Sequence, residues 1–161
     1  SELFESCERL KEKGYPFVLD LIGFYEDDYR EQAERLIKEG IIVDHGFQSD
    51  PRPYYTLSDC VVMPSYHEGM SNVLLEAAAN CRPIITTDRP GCRETVDDGK
   101  SGFIIPIKDE QALMDALDRF MDMSWQQKKE MGLAGREKVE REFDRQLVVQ
   151  AYLEEIERAR S

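Results

Sequence analysis

Five short apolar runs, at residues 17–23, 41–47, 60–64, 83–88 and 103–105, recur along this chain with helix-forming stretches between them. The spacing of about 20 residues suits a helix and two turns rather than a hairpin, so consecutive strands run parallel through right-handed crossovers. Parallel strands are covered by helices on both faces, which is why such runs are almost wholly apolar. The sequence therefore predicts an α/β fold, a Rossmann-like parallel sheet with helices on both faces. Ligands bind such sheets outside the carboxyl ends of the strands. The loops at 23–25, 65–70 and 88–94 each follow a strand, so they are expected to share one rim.

Helical periodicity fills the gaps. Leu3, Phe4, Cys7 and Leu10 make one face of a helix stopped by Gly14, and Ala33, Leu36 and Ile37 make another closed by Gly40. Asp50 and Pro51 have the chemistry of an N-cap and a first helical position. Asp109 is placed to cap a helix carrying Leu113, Ala116, Leu117, Phe120 and Met121 at core spacing. Further helices are expected over 125–142 and 145–158. Residues 1–161 read as one domain with a C-terminal helix within 143–161. The chain opens on Ser1 already in helical pattern, as a segment of a longer protein would.

Acidic residues outnumber basic ones 33 to 21, for a net charge of -12. That argues against nucleic acid or an anionic membrane as a partner, but not against a small anion held by backbone dipoles. Cys7, Cys60, Cys81 and Cys92 have no paired spacing, so reduced thiols are expected rather than disulfides or a zinc site. His45 and His67 have no partner ligands in sequence, and no metal is expected. No apolar run approaches the roughly 20 residues of a membrane span, and no signal peptide is visible. A cytoplasmic location is the expectation.

The segment from Cys60 to Asn80 carries the chemistry. An apolar strand, a glycine-bearing turn and a helix start place free backbone N–H groups and the positive helix end at the mouth of the sheet. Glu68 and Glu76 flank that mouth. Glu76 falls about one and a half turns into the helix, where one carboxylate can accept from both vicinal hydroxyls of a ribose. Gly69 lets a ligand approach the backbone. Ser71 and Asn72 are capping residues whose N–H groups are candidates for phosphate or sugar oxygens. Arg93, in the turn-rich stretch Pro90-Gly91-Cys92-Arg93-Glu94, is the best local cation for a phosphate.

These residues resemble a known signature. Val62-Met63-Pro64-Ser65, Glu68-Gly69 and Asn72-Val73-Leu74-Leu75-Glu76-Ala77 resemble that of the group 1 (family 4) retaining glycosyltransferases. Leu21-Ile22-Gly23, Ser58-Asp59-Cys60, Gly91-Cys92-Arg93-Glu94 and Asp98-Gly99 with Gly102 are similar to further family segments in order and spacing. Val43 to Phe47 is similar to Val-x-Phe-x-Gly but reads His45-Gly46-Phe47, and Arg82 follows Cys81 where Gly or Cys is usual. The resemblance implies the C-terminal, donor-binding half of a type B two-domain enzyme. On it, Glu68 contacts donor-sugar hydroxyls as the catalytic carboxylate and Glu76 the ribose. The backbone of Gly69, Met70, Ser71 and Asn72 meets sugar and diphosphate, Arg93 serves the donor, and Gly23 lies on the base side. It also implies a UDP- or GDP-linked donor and a glycan, lipid-linked or polysaccharide acceptor of the capsule, lipopolysaccharide or exopolysaccharide kind. No cofactor or metal is implied. The family's phosphate-binding Arg and Lys lie upstream of the first helix, and the acceptor domain precedes them. This chain alone is therefore expected not to turn over sugar, and any peripheral membrane contact would come through that other domain. The competing readings are a non-enzymatic nucleotide- or phosphate-binding regulatory domain and an interaction module.

Overall fold

Ile84, Ile85, Thr86 and Thr87 are all buried, and the architecture is organised around that strand. The computed structural model describes residues 2–23, 27–65, 70–144 and 146. Its helices are α1 (Glu2–Glu12), α2 (Arg30–Lys38), α3 (Arg52–Leu57), α4 (Asn72–Ala79), α5 (Glu110–Asp122) and α6 (Trp125–Glu142). Its strands are β1 (Leu19–Ile22), β2 (Ile42–Gly46), β3 (Val61–Met63), β4 (Ile84–Thr87) and β5 (Gly102–Ile105). Single 3-10 turns occupy Asp27–Tyr29 and Arg93–Thr95. The expected strands and the helices up to Glu142 are all present. The helix expected over 145–158, apart from residue 146, and the loop residues 24–25 and 66–69 lie outside the described residues.

β4 is the middle strand of β3-β4-β5, parallel to both neighbours. Alternation sorts the side chains onto two faces. Ile84, Val61, Met63 and Ile104 meet Leu74, Ala77 and Ala78 of α4 and Val139 of α6. Ile85, Val62, Phe103 and Ile105 meet Leu113, Met114, Leu117 and Phe120 of α5 and Leu10 of α1. Each fully buried Leu, Ile, Phe or Met among them contributes about 1.5–3 kcal/mol. Helices thus cover both faces, as the near-continuous apolar runs required.

β1 and β2 form a second parallel pair, with Leu19 beside Ile42 and Asp20 beside Val43. Leu19, Leu21 and Ile42 pack on Phe4 and Cys7 of α1 and on Ala33 and Leu36 of α2. One continuous sheet was the expectation. Among the described residues no ladder joins β1-β2 to β3-β4-β5. β1 and β3 are short, and Tyr15 and Phe17 ahead of β1 pack in the same core layer as Cys60 and Val62. Side-chain packing does the joining.

Two contacts shape the site from a distance. The Arg82 guanidinium donates to the carbonyls of Asn80 (3.0 Å) and Ser58 (2.9 Å), tying the end of α4 to the end of α3. α6 lies so close to the turn after α4 that a Cβ on Gly132 would collide with the Cys81 carbonyl. All four cysteines are free thiols, and burial pushes those of Cys7 and Cys60 up to about 12. No described helix is long and apolar enough to cross a membrane.

Candidate functional site

The carboxyl ends of β3 and β4, where α4 starts, are fastened together by two side chains of β4. The Thr86 hydroxyl donates to the Met63 carbonyl at 2.9 Å, and the Thr87 hydroxyl to the Ser65 carbonyl at 2.6 Å. Ser71, 3% exposed, is the N-cap, with extended backbone and its hydroxyl oxygen accepting from Leu74 N–H at 3.4 Å. Its carbonyl takes the Leu75 N–H at 3.1 Å. The Ser71 N–H, a candidate ligand donor in sequence, instead donates to the Gly91 carbonyl at 3.0 Å. That bond spans two loops, which no local pattern announces. It leaves Asn72 and Val73, the first two helical residues, as those whose N–H groups have no acceptor within the helix. Both are exposed, and half-exposed Met70 precedes the cap.

Glu76 lies one turn further along α4, exposed on its outer face. Its Oε2 accepts from the Tyr55 hydroxyl of α3 at 3.2 Å. Asp50 and Pro51 open α3 one residue later than expected. Pro51 occupies the N-cap, while Asp50 Oδ1 accepts from Arg52 N–H at 3.1 Å and both its oxygens hold the Arg52 guanidinium. Asp50 spends its side chain on a turn, which displaces the cap. On the other side of α3, the Tyr54 ring meets His45 in a tilted contact, centroids 4.7 Å apart, and His45 Nε2 lies 2.7 Å from Asp20 Oδ1. α3 therefore ties the carboxyl end of β2 to the first turns of α4.

Two of the three loops expected on one rim are directly joined, through Thr87 to Ser65 and Ser71 to Gly91. Gly23 ends β1 beside β2, its N–H on the Gly46 carbonyl at 2.8 Å. Its φ of +114° lies where a side chain is strained, with open space around the Cα. Arg93 is exposed and held by acids, with Asp88 Oδ1 at 3.0 Å and Glu94 Oε1 at 3.4 Å. Glu68, Gly69 and His67 lie outside the described residues. Among the described residues no cluster of three His, Cys, Asp or Glu side chains is set to hold a metal ion.

Glu94 gives this rim an acid sensitivity. Its Oε2 accepts from Gly91 N–H at 2.7 Å, and backbone N–H bonds hold its carboxyl below the ordinary glutamate value. A lowered folded-state pKa contributes stability that is present above the ordinary value and lost as pH falls through the lowered one. Amide exchange at Ser71 should accelerate in that acid window in the wild type. Glu94→Gln should exchange faster at neutral pH and lose the acid step; an acid step persisting in the variant would remove Glu94 from this role.

Thr86, Thr87 and Tyr55 are the site residues that sequence reasoning missed. The threonines sit in a buried strand where β-branched residues are ordinary, so they gave no signal. Tyr55 follows another tyrosine on a helix, where core packing is the default reading.

Comparison with known proteins places this arrangement. The chain is 30% identical over 152 residues to the capsular polysaccharide biosynthesis glycosyltransferase CapM of Staphylococcus aureus, covering 91% of this chain and 39% of that protein. It is 29% identical over 133 residues to the lipopolysaccharide core biosynthesis glycosyltransferase LpsE of Rhizobium meliloti, covering 82% of this chain and 38% of that protein. The chain thus spans about two fifths of these relatives' length. Among solved structures, TarM of S. aureus, crystallised with fondaparinux, α-GlcNAc-glycerol and UDP, superposes with a TM-score of 0.85. That superposition covers 95% of this chain and 31% of TarM at 20% identity, and so speaks to the fold, that of the type B glycosyltransferases. Residues 1–138 match the family of glycosyl transferases group 1, and the chain belongs to that family.

Proposed function

We propose that this chain is the donor-binding domain of a retaining glycosyltransferase. It would serve transfer of a sugar from a UDP- or GDP-linked donor to a glycan, lipid-linked or polysaccharide acceptor in capsule, lipopolysaccharide or exopolysaccharide synthesis. The observation that carries this reading is the start of α4, where exposed Asn72 and Val73, whose N–H groups have no acceptor within the helix, follow a buried Ser71 cap and Glu76 stands one turn behind them. Amides and a positive helix end stabilise the charge that builds on a departing diphosphate, without reorganising as it forms. In this reading Glu76 accepts from the ribose hydroxyls, Glu68 is the catalytic carboxylate at the donor sugar, and Gly69, Met70 and Asn72 form the floor beneath sugar and diphosphate, with Ser71 buried beneath them as the helix cap. Gly23 borders the base, and Arg93, released from Asp88 and Glu94, supplies a cation. The acceptor is held by residues outside this chain, so binding without transfer is the activity assigned to it. The names of CapM and LpsE support the class of acceptor, and UDP in TarM the class of donor.

Calorimetric titration with UDP-, GDP- and ADP-sugars tests this. One of them should bind, and Glu76→Ala should weaken it about tenfold, the loss of one to two hydrogen bonds to a charged group. Equal affinity in the variant removes Glu76 from the ribose. No binding of any of the three rejects the donor-domain reading.

A further inference from the structure

Tyr55 has no part in the roles assigned above, yet it is the described side chain that donates to the Glu76 carboxylate. Its ring is 5% exposed, in the core layer that holds Leu74, Ala77 and Ala78 of α4, while its hydroxyl emerges at Glu76 Oε2, 3.2 Å away. The two ends of this side chain meet different demands. The ring is immobilised by packing, and the helix that carries it is itself fastened, through the Arg82 bond to the Ser58 carbonyl and the tilted Tyr54 contact with His45. The hydroxyl is thereby presented from a rigid base. Burial first, and then the charge of Glu76, push the phenol's pKa up, so it remains a donor wherever the protein is folded. An exposed glutamate on a helix otherwise samples several rotamers, and ordering it on binding costs that conformational freedom. A bond from a rigid donor removes part of that cost in advance. It also takes one acceptor site of Oε2 and leaves Oε1 and the rest of the carboxylate to receive a ligand.

We propose that Tyr55 is a positioning residue that sets the preference for a ribose over a deoxyribose donor, by holding Glu76 in the rotamer that meets vicinal hydroxyls. This rests on the reading of Glu76 given above. Arg52, whose guanidinium adds to the field at Glu76, is already committed to Asp50. Packing alone would also account for a buried tyrosine, so the test keeps the ring and removes the hydroxyl.

Affinities of the wild type and Tyr55→Phe are measured for the preferred nucleoside diphosphate and for its 2′,3′-dideoxy counterpart. The wild type should favour the ribonucleotide about tenfold. Tyr55→Phe should lose about fivefold for the ribonucleotide and nothing for the dideoxy compound, the share of one hydrogen bond to a charged acceptor. In a Glu76→Ala background the Tyr55→Phe change should have no further effect, since the two groups act as a unit. Full ribose preference in Tyr55→Phe, or an equal loss for both ligands, overturns the positioning role while leaving the donor-site reading intact. A wild type that binds both nucleotides equally overturns the Glu76 assignment and this proposal together.

Discussion

Gly132→Ala should lower stability by about 3 kcal/mol, the upper range for overpacking a tight contact, and depress Tm by about 10 °C in a domain of this size. An added Cβ would strike the carbonyl of Cys81, which is backbone and cannot rotate away, and would press on Pro83 Cδ. The Cys81 turn has little freedom to yield. Cys81 holds a φ of +56°, and its N–H is bonded to the Ala78 carbonyl at 2.9 Å. Pro83 leads directly into β4, so relief of the clash would drag on the strand that anchors the site. Gly135, one turn further along α6, is the control. A Cβ there would meet Ala78 Cβ and Ser101 Cβ at 3.7 Å, ordinary contact distance. Because alanine is favoured over glycine within a helix by about 1 kcal/mol, Gly135→Ala should be neutral or stabilising. Thermal melts of the two variants should move in opposite directions or nearly so. Equal shifts would show that the helix tolerates the collision, and that the close approach does not constrain the fold.

That contrast marks where sequence reading ends. Both glycines look alike in sequence, as small residues inside a helical pattern, and only the neighbouring chain distinguishes them. The strands and helices were legible because their signals are local: apolar runs of strand length, and Ser71 and Asp109 as caps. The meeting of the 65–70 and 88–94 loops was legible for the same reason, since parallel crossovers put loops after neighbouring strands at one end. What stayed hidden was pairing between distant segments. The Ser71 N–H appeared available for a ligand because nothing near it in sequence accepts a hydrogen bond, whereas Gly91 does so across the rim. Tyr55 read as core, and its ring is core; the role lies in one oxygen, 21 residues away from its acceptor. Cys81 is a middle case. Its left-handed backbone gives a physical reason why glycine is at home in that position, a reason invisible until the φ is known. The split of the strands into two ladders was likewise beyond reach, because strand spacing is silent about which neighbours bond.

Lys138, the buried charged side chain of the described residues, should be costly to remove. Its side chain, 9% exposed, donates to Asp97 Oδ1 and Glu142 Oε2, each at 2.8 Å, fastening α6 to the segment that leads into β5. Burial pulls its ammonium down, but the bonds to Asp97 and Glu142 more than offset this and hold its pKa above the ordinary lysine value. On the other side, bonds from Lys138 and then Arg141 hold the Glu142 carboxyl below its usual value. The raised lysine contributes stability that is present below its ordinary pKa and lost as pH rises through the elevated one. The lowered glutamate contributes stability present above its ordinary pKa and lost as pH falls through the depressed one. The cluster should thus contribute fully over roughly pH 6–9 and weaken on both sides. Lys138→Ala should cost about 2–3 kcal/mol, from lost stem packing and two carboxylates left without their shared cation. Lys138→Met keeps the stem and removes the charge, so it should cost less, about 1–2 kcal/mol. Chemical denaturation at a series of pH values separates these contributions. Should Lys138→Met equal the wild type throughout the plateau, the ion pairs would add nothing net and the stem alone would hold α6 in place.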